Sequence, residues 1–195
     1  MPRARNELTA GEWAVLALLA EAPSHGFAVA RVMAPDGEVG RVWSVRRPLV
    51  YRAAETLTRM DLVRPAGTEP SRTGPRRTVL AATPTGKRAV TRWLKTPVEH
   101  VLYGRSLLML KLLFLSRRGA DATPLLTAQR DVFALHAARL GRAADAAVGF
   151  ERALALWRLE TTTAAARFVE TMLAQPVPAA HAPSRAPVDR AAARG

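Results

Sequence analysis

Four residues close together in this chain have the chemistry to grip a polyanion: Arg46, Arg47, Tyr51 and Arg52. A guanidinium is a planar, permanently charged fork of donors that can hold a phosphate or give two bonds to guanine O6 and N7. A tyrosine hydroxyl at the start of a helix can reach a backbone phosphate. Three more arginines, Arg72, Arg76 and Arg77, lie near a stretch rich in Gly and Pro, Ala66 to Pro75, which reads as the tip of a hairpin. On such a tip they suit a minor groove or the phosphates beside it.

Other chemistries find no support. His100, His136 and His181 are scattered without metal-ligand spacing, and His25 follows a Pro-Ser turn, where it reads as a structural residue at a helix start. There is no phosphate-cradling Gly-rich loop followed by Lys, no Ser elbow and no paired carboxylates in an apolar setting. Cys is absent, which removes disulfides, thiolate metal sites and a cysteine nucleophile, and makes the cytoplasm the expected compartment. The chain is therefore expected to be no enzyme, with no metal and no cofactor. The apolar run Trp13 to Ala20 falls well short of the ~20 residues a membrane span needs, so neither a signal peptide nor an anchor is expected.

The charge is placed to match the arginines. Lys+Arg number 29 against Asp+Glu 16, a net +13 over 195 residues, and 49% of the chain is hydrophobic, enough for a substantial core. Residues 31 to 92 hold thirteen cationic side chains against five acidic ones, a local +8, whereas residues 1 to 30 sum to −1. A nucleic acid is the natural partner for such a face.

Three short helices are predicted to carry it. Thr9 and Glu12 have capping-box spacing ahead of an apolar run, so the first helix begins at Thr9. Pro23 to Gly26 breaks it and offers Ser24 as the cap of a short second helix, which ends at Ala34 to Gly37. A third is expected from Pro48 to Met60, with Val50, Ala53, Ala54, Leu57 and Met60 inward and Arg47, Tyr51, Arg52, Glu55 and Arg59 outward. Two strand-like segments follow, Leu62 to Pro65 and Arg77 to Ala81, joined by the polar loop as a hairpin or wing. Thr83-Pro84 then caps a helix whose Val90, Trp93 and Leu94 close the core.

From Arg105 to Leu173 the pattern is helical, with a second cap at Thr123-Pro124. Phe150, Leu154, Leu156, Trp157, Leu159, Phe168, Val169, Met172 and Leu173 make the final helix too apolar to stand alone, which points to packing against a second copy. The segment from Gln175 is dominated by Pro, Ala and Arg and reads as a disordered tail.

Val50-Tyr51-Arg52-Ala53-Ala54-Glu55-Thr56-Leu57, followed by Leu62-Val63, resembles the recognition-helix signature of the PadR family of transcriptional regulators. Pro23 to Phe27 resembles that family's turn into its second helix, and Gly74 to Arg77, Thr83 to Gly86 and Trp93-Leu94 resemble its wing and closing helix. These blocks span residues 8 to 95 in order. The chain departs at Arg52, Ala54, Asp61 and Leu80, where the family has Pro, a larger apolar residue, Gly and Tyr; the changes bear on the operator sequence more than on the fold.

The resemblance implies a mainly α fold with a small β-hairpin wing: a winged helix-turn-helix DNA-binding domain over residues 1–97, a helical dimerisation domain over 98–174 and a tail over 175–195. It implies a homodimeric repressor binding double-stranded operator DNA, with a small-molecule effector in the family's ligand-responsive members. Phe150 and Trp157 are the residues that would line such a pocket, or else simply fill the core. The rival readings are a non-specific architectural nucleic-acid binder and an adaptor that has lost DNA binding.

Overall fold

The computed structural model describes residues 8–70 and 76–175. Helix α1 (Ala10–Glu21) starts as the sequence requires. The Thr9 hydroxyl accepts from the Glu12 amide at 3.0 Å, and the Glu12 carboxylate accepts from the Thr9 amide at 2.7 Å. Ala14 to Leu19 are all buried, because α1 is the hub on which the other head elements pack.

Strand β1 (Ser24–His25) and helix α2 (Gly26–Val32) follow without a break. The expected Ser24 cap is corrected here. Ser24 pairs with Leu80 in the sheet, and the cap is His25, whose Nδ1 accepts from the Ala28 amide at 3.1 Å. Helix α3 (Arg47–Arg59) lies within a residue of expectation, with Pro48 in its first turn and Val50, Ala53, Ala54 and Leu57 buried. Met60 is not part of that stripe: the helix has ended, and Met60 is exposed as its C-cap.

Strands β2 (Val63–Glu69) and β3 (Arg77–Ala82) are antiparallel, with a register shift between Pro65 and Gly67. The sheet order is β1-β3-β2, so β3 is central and Pro65 sits on an edge strand, where its missing N–H is tolerated. Helix α4 (Pro84–Lys95) begins at the expected cap, Thr83, whose hydroxyl accepts from the Gly86 amide at 3.0 Å. Three helices, a three-stranded sheet with a hairpin wing and a closing helix form a winged helix-turn-helix head in a mainly α chain.

After one 3-10 turn (Val101–Tyr103) and one π turn (Gly104–Leu108), helix α5 (Met109–Arg117) packs back on the head. Trp13 of α1 stacks on Trp93 of α4 at 5.0 Å, and Trp93 meets the edge of Phe114 of α5 at 6.4 Å. Arg117 pairs with Glu21 at the end of α1 and with Glu38 in the α2–α3 loop. Helices α6 (Thr123–Ala146) and α7 (Gly149–Ala174) lie along one another as the arm. The expected Thr123 cap is corrected too: Ala122 is the capping residue, and Thr123 is already helical, its amide held by the Asp121 carboxylate at 2.9 Å.

Lys111 of α5 is buried beneath this joint. Its ammonium donates to the Thr96 carbonyl and lies 5.4 Å from the Trp93 ring centre. Burial pushes its pKa down from 10.5 to about 8. Below that value the group is charged whether folded or unfolded and the desolvation cost is fully present. Between about 8 and 10.5 the folded chain sheds the proton while the unfolded chain keeps it, so stability rises with pH across that window. Lys111→Met should therefore raise stability at neutral pH, by about 1 kcal/mol after discounting solvent screening and the lost Thr96 bond. It should also flatten the alkaline rise. Urea melts at neutral pH and inside the window check both, and a Met variant less stable than the parent at neutral pH would refute the assignment.

Candidate nucleic-acid interface

A groove of about 1190 Å³ runs between α3 and β3. It is lined by Arg47, Arg52 and Arg59 from α3 and by Arg76 and Arg77 at the foot of the wing, against one carboxylate, Glu55. The helix period puts positions 47, 51, 52, 55 and 59 on the outward side because Val50, Ala53, Ala54 and Leu57 are held inward by α1 and β2. Exposed guanidinium groups are thus collected on one concave face.

Aromatic rings hold part of this set in place. The Arg47 guanidinium lies 5.0 Å from the centre of Phe27 and 5.8 Å from that of Tyr51. Arg77 lies 5.2 Å from the same Phe27 ring. Tyr51 leans on the backbone of Gly26, where a Cβ would come within 2.6 Å of the Tyr51 Cε1 atom, so a larger residue there would displace the Tyr51 ring. Arg76 is tied across the hairpin, its Nε donating to the Thr68 hydroxyl at 3.1 Å. Arg52 has no hydrogen bond, ion pair or ring contact among the described residues, which leaves its whole fork for a ligand.

The sequence-derived candidates divide as follows. Arg47, Tyr51, Arg52, Arg76 and Arg77 all line the groove; Arg46 is the exposed N-cap of α3 and does not. Arg72 lies outside the described residues. Sequence reading missed Phe27, the ring on which two arginines rest; it placed His25 at a helix start, where it stands as the N-cap of α2, but not among the groove's lining. Only the Pro-Ser-His-Gly-Phe turn pointed to them, and nothing in it marks a ring as facing β3.

A second groove, of about 690 Å³, lies on the arm between the 3-10 turn, α6 and α7. Trp157 lines it together with His100, Leu102, His136 and Arg158, whereas Phe150 does not. Both aromatics are largely exposed in the single chain, Phe150 at 77% and Trp157 at 72%, while Val169 is fully buried. Among the described residues no three His, Asp or Glu side chains gather as a metal site, and no helix is long and apolar enough to cross a membrane.

No protein-family model matches the chain, and no curated protein matches it. Among solved structures, it is similar to Bacillus subtilis PadR in complex with operator DNA, at 20% identity over 87% of this chain and 99% of that one, with a TM-score of 0.45. It is also similar to smu.1604c from Streptococcus mutans UA159, at 13% identity over 85% of this chain and 99% of that one, with a TM-score of 0.40.

Proposed function

We propose that this protein is a sequence-specific DNA-binding transcription regulator of the PadR type, acting as a homodimer with α3 as its recognition helix. The observation that carries the reading is the groove between α3 and β3, where five arginines face one glutamate. A winged helix presents such a face to a duplex, with α3 in the major groove and the wing beside it. In this reading Arg47, Arg76 and Arg77 serve phosphates, Tyr51 adds a phosphate bond, and the unpartnered Arg52 reads a base edge. Arg46, at the helix start, extends the phosphate contacts, and Arg72 is assigned the same role from the sequence alone.

Residues 1–97 then act as the DNA-binding head and residues 98–174 as the dimerisation arm, whose exposed Phe150 and Trp157 favour a second copy as partner. Two heads joined in this way engage half-sites about one helical turn, or ~10 bp, apart or a multiple of it. The groove beside Trp157 supplies a place where a small molecule can bias the arm.

The test is a titration of the purified protein on its own upstream DNA and on a scrambled duplex, at two salt concentrations, with stoichiometry measured. We expect two chains per site and a preference of about a thousandfold for the upstream DNA. Arg52→Ala should lose about tenfold on that site while staying folded. Equal binding to both duplexes with the same steep salt dependence would instead identify a non-specific binder.

A further inference from the structure

We propose that His25 is a DNA-contacting residue: its Nε2–H joins the Arg77 and Arg47 guanidinium groups around Phe27 to form one seat for a single phosphodiester group. The inference rests on the DNA-binding reading above and adds to it a contact beyond the arginines and Tyr51.

The Ala28 backbone N–H can only donate, and it is bonded to His25 Nδ1 at 3.1 Å, so Nδ1 carries no proton. The ring proton is therefore on Nε2, which makes Nε2 a donor. Nε2 lies 3.5 Å from Arg77 Nη1, which is also a donor. With Nε2 protonated the two donors do not bond each other, and an acceptor seated beside the pair is within reach of both. Pairing of Ser24 and His25 with Leu80 and Val79 fixes this approach, because β1 and β3 carry the two side chains at neighbouring positions of one sheet.

The third donor rests on the same ring. Arg47 and Arg77 lie 5.0 and 5.2 Å from the Phe27 centroid, and His25 is tilted against it at 6.3 Å. Two cations sharing one ring repel each other, and among the described residues neither is ion-paired. A monoanionic phosphodiester relieves that repulsion and accepts from all three groups through its two free oxygens. His25 contributes a neutral hydrogen bond, and the arginines contribute charge. The seat spans α3 and the wing, so it fixes how the head sits on the duplex without reading a base.

The difference between a neutral donor and a cation gives the test. Asn is a good helix cap, so His25→Asn keeps an acceptor for the Ala28 amide and removes the Nε2 donor. Duplex affinity should fall about five- to tenfold with an unchanged slope against log salt, while Arg77→Ala should lower both the affinity and the slope, the latter by about one. His25→Asn binding within twofold of the parent, or with a reduced slope, would overturn the proposal.

Imidazole nitrogen NMR of the parent protein provides an arm that needs no variant. The His25 Nε2–H should be seen directly and should move downfield as duplex, or inorganic phosphate alone, is added. A proton on Nδ1, or an Nε2 signal unmoved by either anion, would also overturn the proposal. If the parent binds no duplex but phosphate moves the signal, the DNA-binding reading fails and the anion seat stands.

Discussion

Gly86→Ala should lower the stability of the head by about 3 kcal/mol, seen as a fall of roughly 10 °C in melting temperature. On an exposed helix the same change would gain about 1 kcal/mol, because Ala is the better helix former. Here a Cβ would stand 2.1 Å from the Leu62 carbonyl oxygen and 3.0 Å from its carbon. Neither atom can yield easily. The Leu62 carbonyl also accepts from the Thr83 amide at 3.0 Å, and the Thr83 hydroxyl donates to the Asp61 carbonyl at 2.8 Å. Asp61 itself holds a positive φ of 53°, a conformation that Asp adopts more readily than most residues. The first turn of α4 is thus seated on the root of the wing, and a methyl group there must move the wing or unseat the helix. DNA affinity should fall with stability, since Arg76 and Arg77 leave the wing's foot at the same time. A Gly86→Ala protein that melts within a couple of degrees of the parent would show that this contact is looser than drawn.

How much of this was legible in the sequence depended on how local each signal is. The Thr9 to Glu12 cap, the Pro48 start of α3 and the Thr83-Pro84 cap of α4 are decided by residues within one turn, and all three stand where the spacing put them. Ser24 misled because a hydroxyl is a better cap by propensity than an imidazole. The sheet claims Ser24 through Leu80, more than fifty residues away, and the cap passes to His25. A strand of two residues has no period to detect, so β1 was invisible, and with it the reason His25 faces Arg77. Met60 continued the apolar spacing of α3 one step beyond the point where the helix ends. The arginines were legible as a set because charge clusters in sequence survive folding. Which of them rest on Phe27 and which stays unpartnered is a property of the packed surface alone.

The joint between head and arm was the least legible part, and it carries the other large effect. Gln129, in the second turn of α6, carries no signal in the sequence that singles it out, yet it is fully buried. Its Oε1 accepts from the Val98 amide at 2.7 Å and its Nε2 donates to the Val98 carbonyl at 2.9 Å, so one side chain satisfies both polar groups of a buried linker residue. Gln129→Leu would preserve volume and apolar contact but leave that amide and carbonyl without partners. Each orphaned buried group costs about 1–3 kcal/mol, so a loss of about 3 kcal/mol is expected, larger than any gain from burying the Leu methyls. Hydrogen exchange supplies a local readout: the Val98 amide should lose its protection even where the rest of the variant stays folded. Retained protection at Val98 would mean that the linker finds another partner and that Gln129 is dispensable. If protection is lost, the segment between α4 and the 3-10 turn becomes the flexible link, and in the proposed homodimer the arm can no longer hold a head at a fixed spacing from its partner. Binding to a single half-site would then survive while the advantage of engaging two at once disappears, which separates damage at this joint from damage to the arginine groove itself.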